Sequence, residues 1–323
     1  MPRYVATTPT RIDLAGGTID LYPLSAFMGG TLTVNLAIDI ACRAEVTTRD
    51  DGRFRLRSED GGASLELGSR AELDGFRGGS PLDLLVEALQ FWGPATGLDV
   101  TTRNLAPRGS GLGASSALLI ALLGALGKLG GREPWRDGRE LCQWAAAIEA
   151  KHIQVPTGLQ DYYAAVFGGP LAIEFGLAGP RPAPIEPAGG FLEWFEASVQ
   201  VFFTGEPHFS GAPNWAVLKR YVDGDAGTRE CLRAIAAIAP RMREAVAKGD
   251  RDAFTELLGA EWEARKRLAE GVTTPRLERI IAAARGAGAL AAKACGAGGG
   301  GCLVVVAPEG RGEPVAAAAA GEG

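Results

Sequence analysis

The sequence predicts an α+β protein with two domains, and three observations support this fold class. Short β-rich runs alternate with turn signals such as DDG and EDGG over residues 3–73, which is typical of antiparallel strands. Helical patterns then follow in blocks, without the regular strand–helix alternation that predicts a parallel sheet. A Pro/Gly-rich stretch at residues 176–190 indicates a boundary. Since 323 residues can bury about two cores, we expect domains at 1–180 and 190–323.

The first half begins with strands and one helix. Alternating β-formers bounded by turn residues predict the strands that follow the amino terminus, at residues 31–48, 53–58 and 63–68. The stretch PLDLLVEALQFWG at residues 81–93 predicts a helix that Gly93 closes, and residues 97–105 predict another strand.

Three further elements are expected before the boundary. From Ser115 to about Lys128 the chain is apolar on nearly every side, which predicts a buried helix. A longer amphipathic helix is expected from about Trp135 to Ile153, and another element begins at Gly158.

The second half is expected to be mostly helical. Residues 195–205 predict a buried strand, and Ala-, Arg- and Glu-rich helices are expected over residues 213–290. A glycine-rich loop at residues 293–301 then leads into the predicted strand CLVVVAP, and the last helix begins soon after it.

Composition excludes several classes of partner. The net charge is −5 and no basic arm or stripe occurs, so nucleic acid is not an expected partner. The amino terminus lacks the pattern of a secretion signal, and the longest apolar run is too short to span a membrane. Five scattered cysteines without a CxxC pair argue against a zinc site and suit a reducing cytosol. We therefore expect a soluble cytoplasmic protein.

The stretch PRGSGLGASSAL at residues 107–118 is the main functional signal. It leaves backbone N–H groups uncovered and leads into a helix whose amino terminus favours anions, so it predicts a polyphosphate site. The alternative is a glycine-rich turn into a buried helix. A Walker A loop is excluded because GxxxxGK[ST] is absent, and a dinucleotide fingerprint because Pro107 precedes it and a second helix replaces the required strand.

Three ordered motifs resemble those of the GHMP kinase superfamily. They are TPTRIDLAGGTID at residues 8–20, the arrangement PxGSGLGxSSA from Pro107, and KACGAGGGGC at residues 293–302. Within the superfamily they look most like D-glycero-D-manno-heptose 7-phosphate kinases and the kinase domain of L-fucokinases. The resemblance implies a two-domain fold, with a ribosomal protein S5 domain 2-like amino-terminal domain and a ferredoxin-like carboxy-terminal domain. It also implies ATP and Mg²⁺ as cofactors and phosphorylation of an anomeric sugar hydroxyl.

Nucleotide and metal residues follow from this resemblance. The residues expected to bind ATP are Pro107, Gly109, Ser110, Gly111, Leu112, Gly113, Ala114, Ser115 and Ser116. Ser115 matches the magnesium-ligating serine of the family, although both serines can instead cap the helix. Glu149 is the expected carboxylate ligand. Ala145 and Ala146 on the same helical face favour its burial, although a helical Glu is usually a surface residue.

The expected catalytic pair is Asp161 with Arg11. Asp161 follows Glu149 by twelve positions, as in the galactokinase pattern, and it is expected to orient or deprotonate the acceptor hydroxyl. Arg11 matches the family's cationic partner, whose charge would keep the aspartate ionised and stabilise negative charge during transfer. The alternatives are a helix N-cap for Asp161 and a surface strand residue for Arg11.

The acceptor is expected to bind the first and third motifs. Asp20 matches the sugar-contacting aspartate, and Gly17 and Thr18 replace the Glu-His of galactokinases, which argues against galactose. Substrate contacts are expected from Gly16, Gly17, Thr18 and Asp20, and from a second backbone cradle at Gly296, Gly298 and Gly299.

Two other functions remain open from the sequence. One is a kinase of another small alcohol, of the mevalonate or inositol type, and the other is a non-catalytic sugar sensor. The presence of Asp161 and the loop serines favours an enzyme. The sequence predicts neither the acceptor sugar nor the oligomeric state.

Overall fold

The computed structural model describes residues 2–131, 138–207 and 211–322. Its first half forms a sheet of seven strands with the order β4-β3-β5-β2-β6-β7, to which β1 is added by pairing with β2. The strands are β1 (Arg3–Ala15), β2 (Thr31–Arg49), β3 (Phe54–Ser58), β4 (Ala63–Leu67), β5 (Gly97–Asn104), β6 (Pro170–Gly176) and β7 (Gly179–Pro184). The strands expected at residues 31–48, 53–58, 63–68 and 97–105 are confirmed.

The long strand β2 organises this sheet, because β1, β5 and β6 all pair with it in antiparallel register. β3 pairs with β5 in parallel, which is an exception to the antiparallel pattern of the strands around it. In β1 the register shifts between Pro9 and Thr10 and again between Asp13 and Ala15. Such bulges redirect side chains. Here they lie on either side of Arg11.

Helices of the first half cover this sheet. They are α1 (Leu24–Phe27), α2 (Arg70–Gly75), α3 (Asp83–Trp92), α4 (Ala114–Leu129), α5 (Arg139–Ile153) and α6 (Gln160–Phe167). α3 ends at Gly93 in the left-handed conformation, as predicted. α4 is buried along most of its length, also as predicted. The start expected for α5 near Trp135 lies outside the described residues.

The second half contains α7 (Phe191–Ser198), β8 (Val199–Phe203), α8 (Gly211–Val222), α9 (Ala226–Lys248), α10 (Arg251–Arg265), α11 (Pro275–Gly286), β9 (Ala291–Ala294), β10 (Cys302–Val306) and α12 (Gly312–Ala320). Its antiparallel sheet has the order β8-β10-β9. The prediction of a strand over residues 195–205 was partly wrong, because residues up to Ser198 lie in α7 and the strand β8 begins only at Val199. Phe191 and Phe195, one helical turn apart, both pack on Phe254. β8 itself is only partly buried.

The Pro/Gly-rich stretch at residues 176–190 is not a free linker throughout. Gly179–Pro184 forms β7, whose prolines suit a sheet edge because proline cannot donate a ladder hydrogen bond. The first sheet therefore continues to Pro184, four residues past the expected limit at 180. One core cluster joins the two halves, since Ile12 and Val34 pack in the same cluster as Met242 and Val304. Within the described residues, no helix has the length and apolar character needed to cross a bilayer.

Candidate active site

A cavity of about 410 Å³ lies between the two halves of the fold. The first and second motifs, α5, the start of α6 and the carboxy-terminal glycine loop all contribute to its wall. Predicted residues that line it are Arg11, Thr18, Asp20, Gly109, Ser110, Gly111, Gly113, Ala114, Ser115, Ser116, Glu149, Asp161 and Gly296. Residues that are 285 positions apart in the sequence (Arg11 and Gly296) therefore face one cavity.

The loop between β5 and α4 has the conformation that its glycines predict. Gly109, Gly111 and Gly113 have φ values of 68°, 74° and 73°, a region that favours glycine. Gly113 is the N-cap of α4, and no side chain caps that helix. The first N–H groups of α4 thus have no side-chain cap at the cavity wall, and such N–H groups favour an anion.

The carboxy-terminal glycine loop packs against this first glycine loop, backbone to backbone. The N–H of Cys302 donates to the carbonyl of Ser110 at 2.7 Å. A Cβ at Gly111 would lie 2.5 Å from the carbonyl oxygen of Cys295, and a Cβ at Gly301 would lie 2.7 Å from that of Ser110. Both positions therefore need glycine because the two backbones approach so closely.

Glu149 is buried in α5, as its alanine neighbours predict, and it accepts three hydroxyl hydrogen bonds. Ser116 Oγ donates to its Oε2 at 2.8 Å, and Ser115 Oγ and Tyr162 Oη also donate to the carboxylate. The alternative in which the serines cap α4 is wrong, because their hydroxyls point to Glu149 instead. Tyr162 was missed by the sequence analysis, and its position next to Asp161 was the only signal.

Arg11 and Asp161 form a direct ion pair at the cavity wall. Arg11 Nε donates to Asp161 Oδ1 at 2.9 Å, and its Nη2 lies 2.6 Å from the same oxygen. Its Nη1 donates to the carbonyl of Gly111 at 2.6 Å. The Arg11 side chain is 4% exposed and the Asp161 side chain 22%, so the carboxylate is the more accessible partner. Arg11 is therefore not a surface strand residue.

The Asp161 carboxylate projects from the first turn of α6 and is not its N-cap, which is Leu159. The N-cap alternative is therefore wrong. Burial raises the pKa of the Asp161 carboxyl above its ordinary value, and the guanidinium of Arg11 acts in the opposite direction. Burial therefore outweighs the effect of Arg11 on the pKa of Asp161. A carboxylate with a raised pKa is the better proton acceptor.

Asp20 places a further carboxylate on the wall, beside those of Glu149 and Asp161, and is 2% exposed. Its Oδ2 accepts the backbone N–H of Gln160 at 2.9 Å. Burial raises its pKa to about 6. A Cβ at Gly158 would lie 2.5 Å from the same oxygen, so this glycine leaves the space that the carboxylate occupies.

Four charged side chains, all 1% exposed or less, form a buried charge cluster behind this wall: Asp13, Glu261, Arg265 and Lys293. Burial alone would raise the pKa of Asp13, yet Lys293 and Arg265 hold it below its ordinary value. The sequence analysis missed this cluster. Its signal was weak: a charged residue stands within otherwise apolar strand residues, as Asp13 does between Ile12 and Leu14.

Six predicted residues do not line the cavity: Gly16, Gly17, Pro107, Leu112, Gly298 and Gly299. Leu112 is fully buried in the core that joins the two halves. A Cβ at Gly298 would lie 2.3 Å from the carbonyl oxygen of Val272, and the N–H of Gly299 donates to that carbonyl at 2.6 Å. The carboxy-terminal loop thus presents Gly296 and Ala297 to the cavity, whereas the following glycines pack on Val272.

Comparison with known proteins gives the class of this chain. The GHMP kinases N terminal domain model matches residues 82–169, and the GHMP kinases C terminal model matches residues 242–323. The chain is 30% identical over 305 residues to D-glycero-alpha-D-manno-heptose 7-phosphate kinase of Campylobacter jejuni, covering 90% of this chain and 85% of that protein. The chain therefore belongs to the GHMP kinase family, and it is an ATP-dependent kinase.

A second protein and a solved structure are also similar to this chain. L-fucokinase/L-fucose-1-P guanylyltransferase of Bacteroides fragilis is 31% identical over 302 residues, which are 85% of this chain and 31% of that protein. The crystal structure of a D-glycero-D-manno-heptose 1-phosphate kinase from Bacteroides thetaiotaomicron superposes with a TM-score of 0.76 at 26% identity, covering 98% of this chain and 92% of that chain. Mevalonate kinases and galactokinases also match. The resemblance to GHMP kinases, and within them to heptose 7-phosphate kinases and L-fucokinases, is thus confirmed.

Proposed function

We propose that the chain transfers the γ-phosphoryl group of ATP to the anomeric hydroxyl of a sugar. The favoured acceptor is D-glycero-D-manno-heptose 7-phosphate, which the name of one similar protein gives, or a closely related sugar. The name of the similar crystal structure, a D-glycero-D-manno-heptose 1-phosphate kinase, gives the same heptose with the phosphate at position 1. The observation that carries the proposal is the Arg11–Asp161 pair, which stands on a cavity wall between the first glycine loop and Asp20. A phosphate donor and a hydroxyl acceptor can meet at such a position.

In this proposal the first glycine loop holds the nucleotide. Its backbone N–H groups and the amino terminus of α4 favour the α- and β-phosphates, without side chains that would obstruct them. The donor set at Glu149 fits Mg²⁺, because a carboxylate and the exposed Ser115 hydroxyl are oxygen ligands at the cavity wall. Mg²⁺, when bound there, would neutralise phosphate charge during transfer. Within the described residues no cluster of three or more His, Cys, Asp or Glu ligands exists. Mg²⁺ is commonly bound by one or two carboxylates together with substrate phosphates and water, so Glu149 and Ser115 would supply only part of its ligands.

Asp161 is the group that acts on the acceptor hydroxyl. Its accessible carboxylate accepts the hydroxyl hydrogen, and either orients the oxygen or takes the proton as the new O–P bond forms. Arg11 fixes the carboxylate and also ties it to Gly111 of the nucleotide loop. This shared contact aligns donor and acceptor, which supplies much of the catalysis in phosphoryl transfer.

Asp20 binds the remaining hydroxyls of the acceptor. One of its oxygens already accepts the N–H of Gln160, so the carboxylate is held in one orientation. Its remaining acceptor capacity can receive a sugar hydroxyl. A neutral polyhydroxylated end of the substrate suits this part of the cavity, where Thr18 and Asp20 lie together.

The test is ADP formation with ATP, Mg²⁺ and a panel of D-glycero-D-manno-heptose 7-phosphate, L-fucose, D-galactose and mevalonate. We expect the heptose 7-phosphate to give the highest kcat/KM, with the new phosphate on the anomeric oxygen by phosphorus NMR. Asp161→Asn is the control. Because this variant lacks the group proposed to act on the acceptor hydroxyl, it should lose nearly all ADP formation, whereas ADP formed by a contaminating kinase would not depend on Asp161. A phosphate placed at any other position, or equal turnover of all four compounds, would contradict the proposal.

A second candidate is a kinase of a non-sugar alcohol, and the matches to mevalonate kinases favour it. The same pair, Arg11 and Asp161, would act on a primary hydroxyl. Preferential turnover of mevalonate in the panel would establish this candidate in place of the first.

A further inference from the structure

The buried charge cluster pairs two acids with two bases in the interior of the protein. Lys293 Nζ lies 3.2 Å from Asp13 Oδ2 and 3.0 Å from Glu261 Oε2, and Arg265 pairs with Glu261 and lies 3.3 Å from Asp13 Oδ2. Buried charges are costly unless each has a partner. Well-packed apolar residues of similar volume often stabilise a core equally well, so the cluster points to a role besides stability.

Arg265 is the member that reaches beyond the cluster. Its Nη2 donates to the carbonyl of Gly17 at 3.0 Å, and its Nη1 donates to Thr18 Oγ1 at 3.1 Å and to the carbonyl of Gly296 at 3.4 Å. One guanidinium thus connects α10 with the first motif and with the carboxy-terminal glycine loop. Lys293, in contrast, donates to the carbonyl of Asp13 and makes no hydrogen bond to residues 16–18.

Thr18 is held in an unfavourable conformation. It has a φ of 73°, a left-handed value that a β-branched residue rarely adopts and that costs about 1–3 kcal/mol. Its side chain is nevertheless buried and lines the cavity. Contacts from the surrounding structure must therefore maintain this conformation, and the two hydrogen bonds from Arg265 to residues 17 and 18 are the direct candidates.

The direction of the hydrogen bond determines what Thr18 can offer. A guanidinium only donates, so Thr18 Oγ1 accepts from Arg265 and its own hydroxyl hydrogen remains available. Asp20, two residues further on, supplies an acceptor on the same wall. The pair therefore presents one donor and one acceptor, which suits two hydroxyls of one polyol.

We propose that Arg265 is a positioning residue for the phosphoryl acceptor, acting through Thr18. It fixes the loop so that the Thr18 hydroxyl donates to an acceptor oxygen while Asp20 accepts from another hydroxyl. This inference rests on the proposed function, since it concerns how that acceptor is bound. Gly17 makes the arrangement possible, because a Cβ there would lie 2.3 Å from Asp13 Oδ2 and 2.8 Å from Arg265 Nη2.

The first arm of the test is steady-state kinetics on Arg265→Lys, Thr18→Val and the double variant, with the sugar of the panel that the wild type turns over best. Arg265→Lys keeps the buried charge, but one ammonium cannot reach all of these partners. We expect the acceptor KM to rise about 3- to 10-fold, as for loss of a hydrogen bond between neutral groups, with the KM for ATP within about twofold. In the Thr18→Val background, Arg265→Lys should add little, because the hydroxyl that it positions is gone.

Lys293→Gln is the matched control, since it perturbs the same cluster without a hydrogen bond to residues 16–18. We expect it to lower the unfolding temperature at least as much as Arg265→Lys while the acceptor KM stays within about twofold. An equal rise in acceptor KM in Lys293→Gln would overturn the proposal, because the effect would then belong to the stability of the cluster. Full additivity of Arg265→Lys with Thr18→Val would also overturn it.

The second arm does not need turnover. Amide hydrogen exchange across residues 14–21, taken relative to exchange in the buried helix α4, should be faster in Arg265→Lys than in the wild type, and this ratio should be unchanged in Lys293→Gln. Unchanged exchange in Arg265→Lys would overturn the positioning role. If the wild type phosphorylates none of the four compounds, the proposed function fails, and the exchange measurement still decides whether Arg265 orders this loop.

Discussion

Arg11 binds Asp161 and Gly111 at the same time, with Nε 2.9 Å from the carboxylate and Nη1 2.6 Å from the loop carbonyl. The residue thus joins the group proposed to act on the acceptor to the loop proposed to hold the phosphates. Because both contacts come from one planar guanidinium, displacement of either partner is transmitted to the other. This site can be tested through its turnover, its metal dependence, its pH profile and its stability.

The first prediction concerns the charge of Asp161. Asp161→Asn keeps the size of the side chain but removes the charge, so kcat should fall by roughly 10²–10⁴, the usual contribution of general acid–base catalysis. The dissociation constant for ATP, measured by calorimetry, should be nearly unchanged. Arg11→Ala should also lower kcat, and the two losses should be less than additive because the residues contact each other. Wild-type turnover by Asp161→Asn would remove it from the mechanism.

The second prediction concerns metal binding at Glu149. Glu149→Gln replaces a carboxylate with a neutral amide, so the Mg²⁺ concentration for half-maximal activity should rise by roughly tenfold or more. The control is Tyr162→Phe, which removes one hydroxyl donor to Glu149 and leaves the carboxylate in place. Its Mg²⁺ requirement should change much less. Equal metal dependence in wild type and Glu149→Gln would return Glu149 to a structural role.

The sequence predicted those features that depend on local chemistry. The conformation of the first glycine loop follows from Gly109, Gly111 and Gly113, which tolerate positive φ values. The burial of Glu149 follows from the alanines one turn before it. These inferences need only neighbouring residues, and for that reason a single sequence sufficed.

The buried charge cluster could not be predicted in the same way. Asp13 and Lys293 are 280 residues apart, and Arg265 is 247 residues from Thr18. A charged residue in an apolar segment normally indicates exposure, and only its distant partners make burial tolerable. The serine hydroxyls were ambiguous for a related reason, since the competing partner, Glu149, lies 33 residues beyond Ser116.

The third prediction concerns pH, because Asp20 has a pKa of about 6. The ionised carboxylate is the better acceptor of sugar hydroxyls, so the acceptor KM should fall as the pH rises through about 6. Asp20→Asn should bind the acceptor more weakly at neutral pH, with little change in KM over the same interval. A pH dependence of KM that persists in Asp20→Asn would assign it to another group.

The same shift has an effect on stability with a definite sign. The pKa of Asp20 in the folded state lies above the ordinary value of an aspartate, so the folded state holds this proton more tightly than the unfolded state does. The stabilisation is complete below about pH 4 and is lost as the pH rises through about 6, with a total on the order of 3 kcal/mol. Asp20→Asn should therefore unfold at a higher temperature than the wild type above about pH 7, and this advantage should disappear near pH 4.

The fourth prediction separates the geometry of the site from the stability of α4. A Cβ at Gly113 would lie 3.0 Å from both Cγ and Oδ2 of Asp161, and the φ of 73° there is unfavourable for alanine. Gly113→Ala should therefore destabilise the fold by about 1–3 kcal/mol and also displace the carboxylate, so that kcat falls at temperatures where the variant is fully folded.

Gly124→Ala in the same helix is the matched control, because its Cβ would lie 3.9 Å from the Cβ of Ala6, an ordinary contact. It should be as stable as the wild type or more so, since alanine favours a helix interior, and its kcat should be unchanged. Thermal unfolding and kcat measured on both variants test this: a folded Gly113→Ala with wild-type kcat would show that the position of Asp161 against the nucleotide loop does not limit phosphoryl transfer.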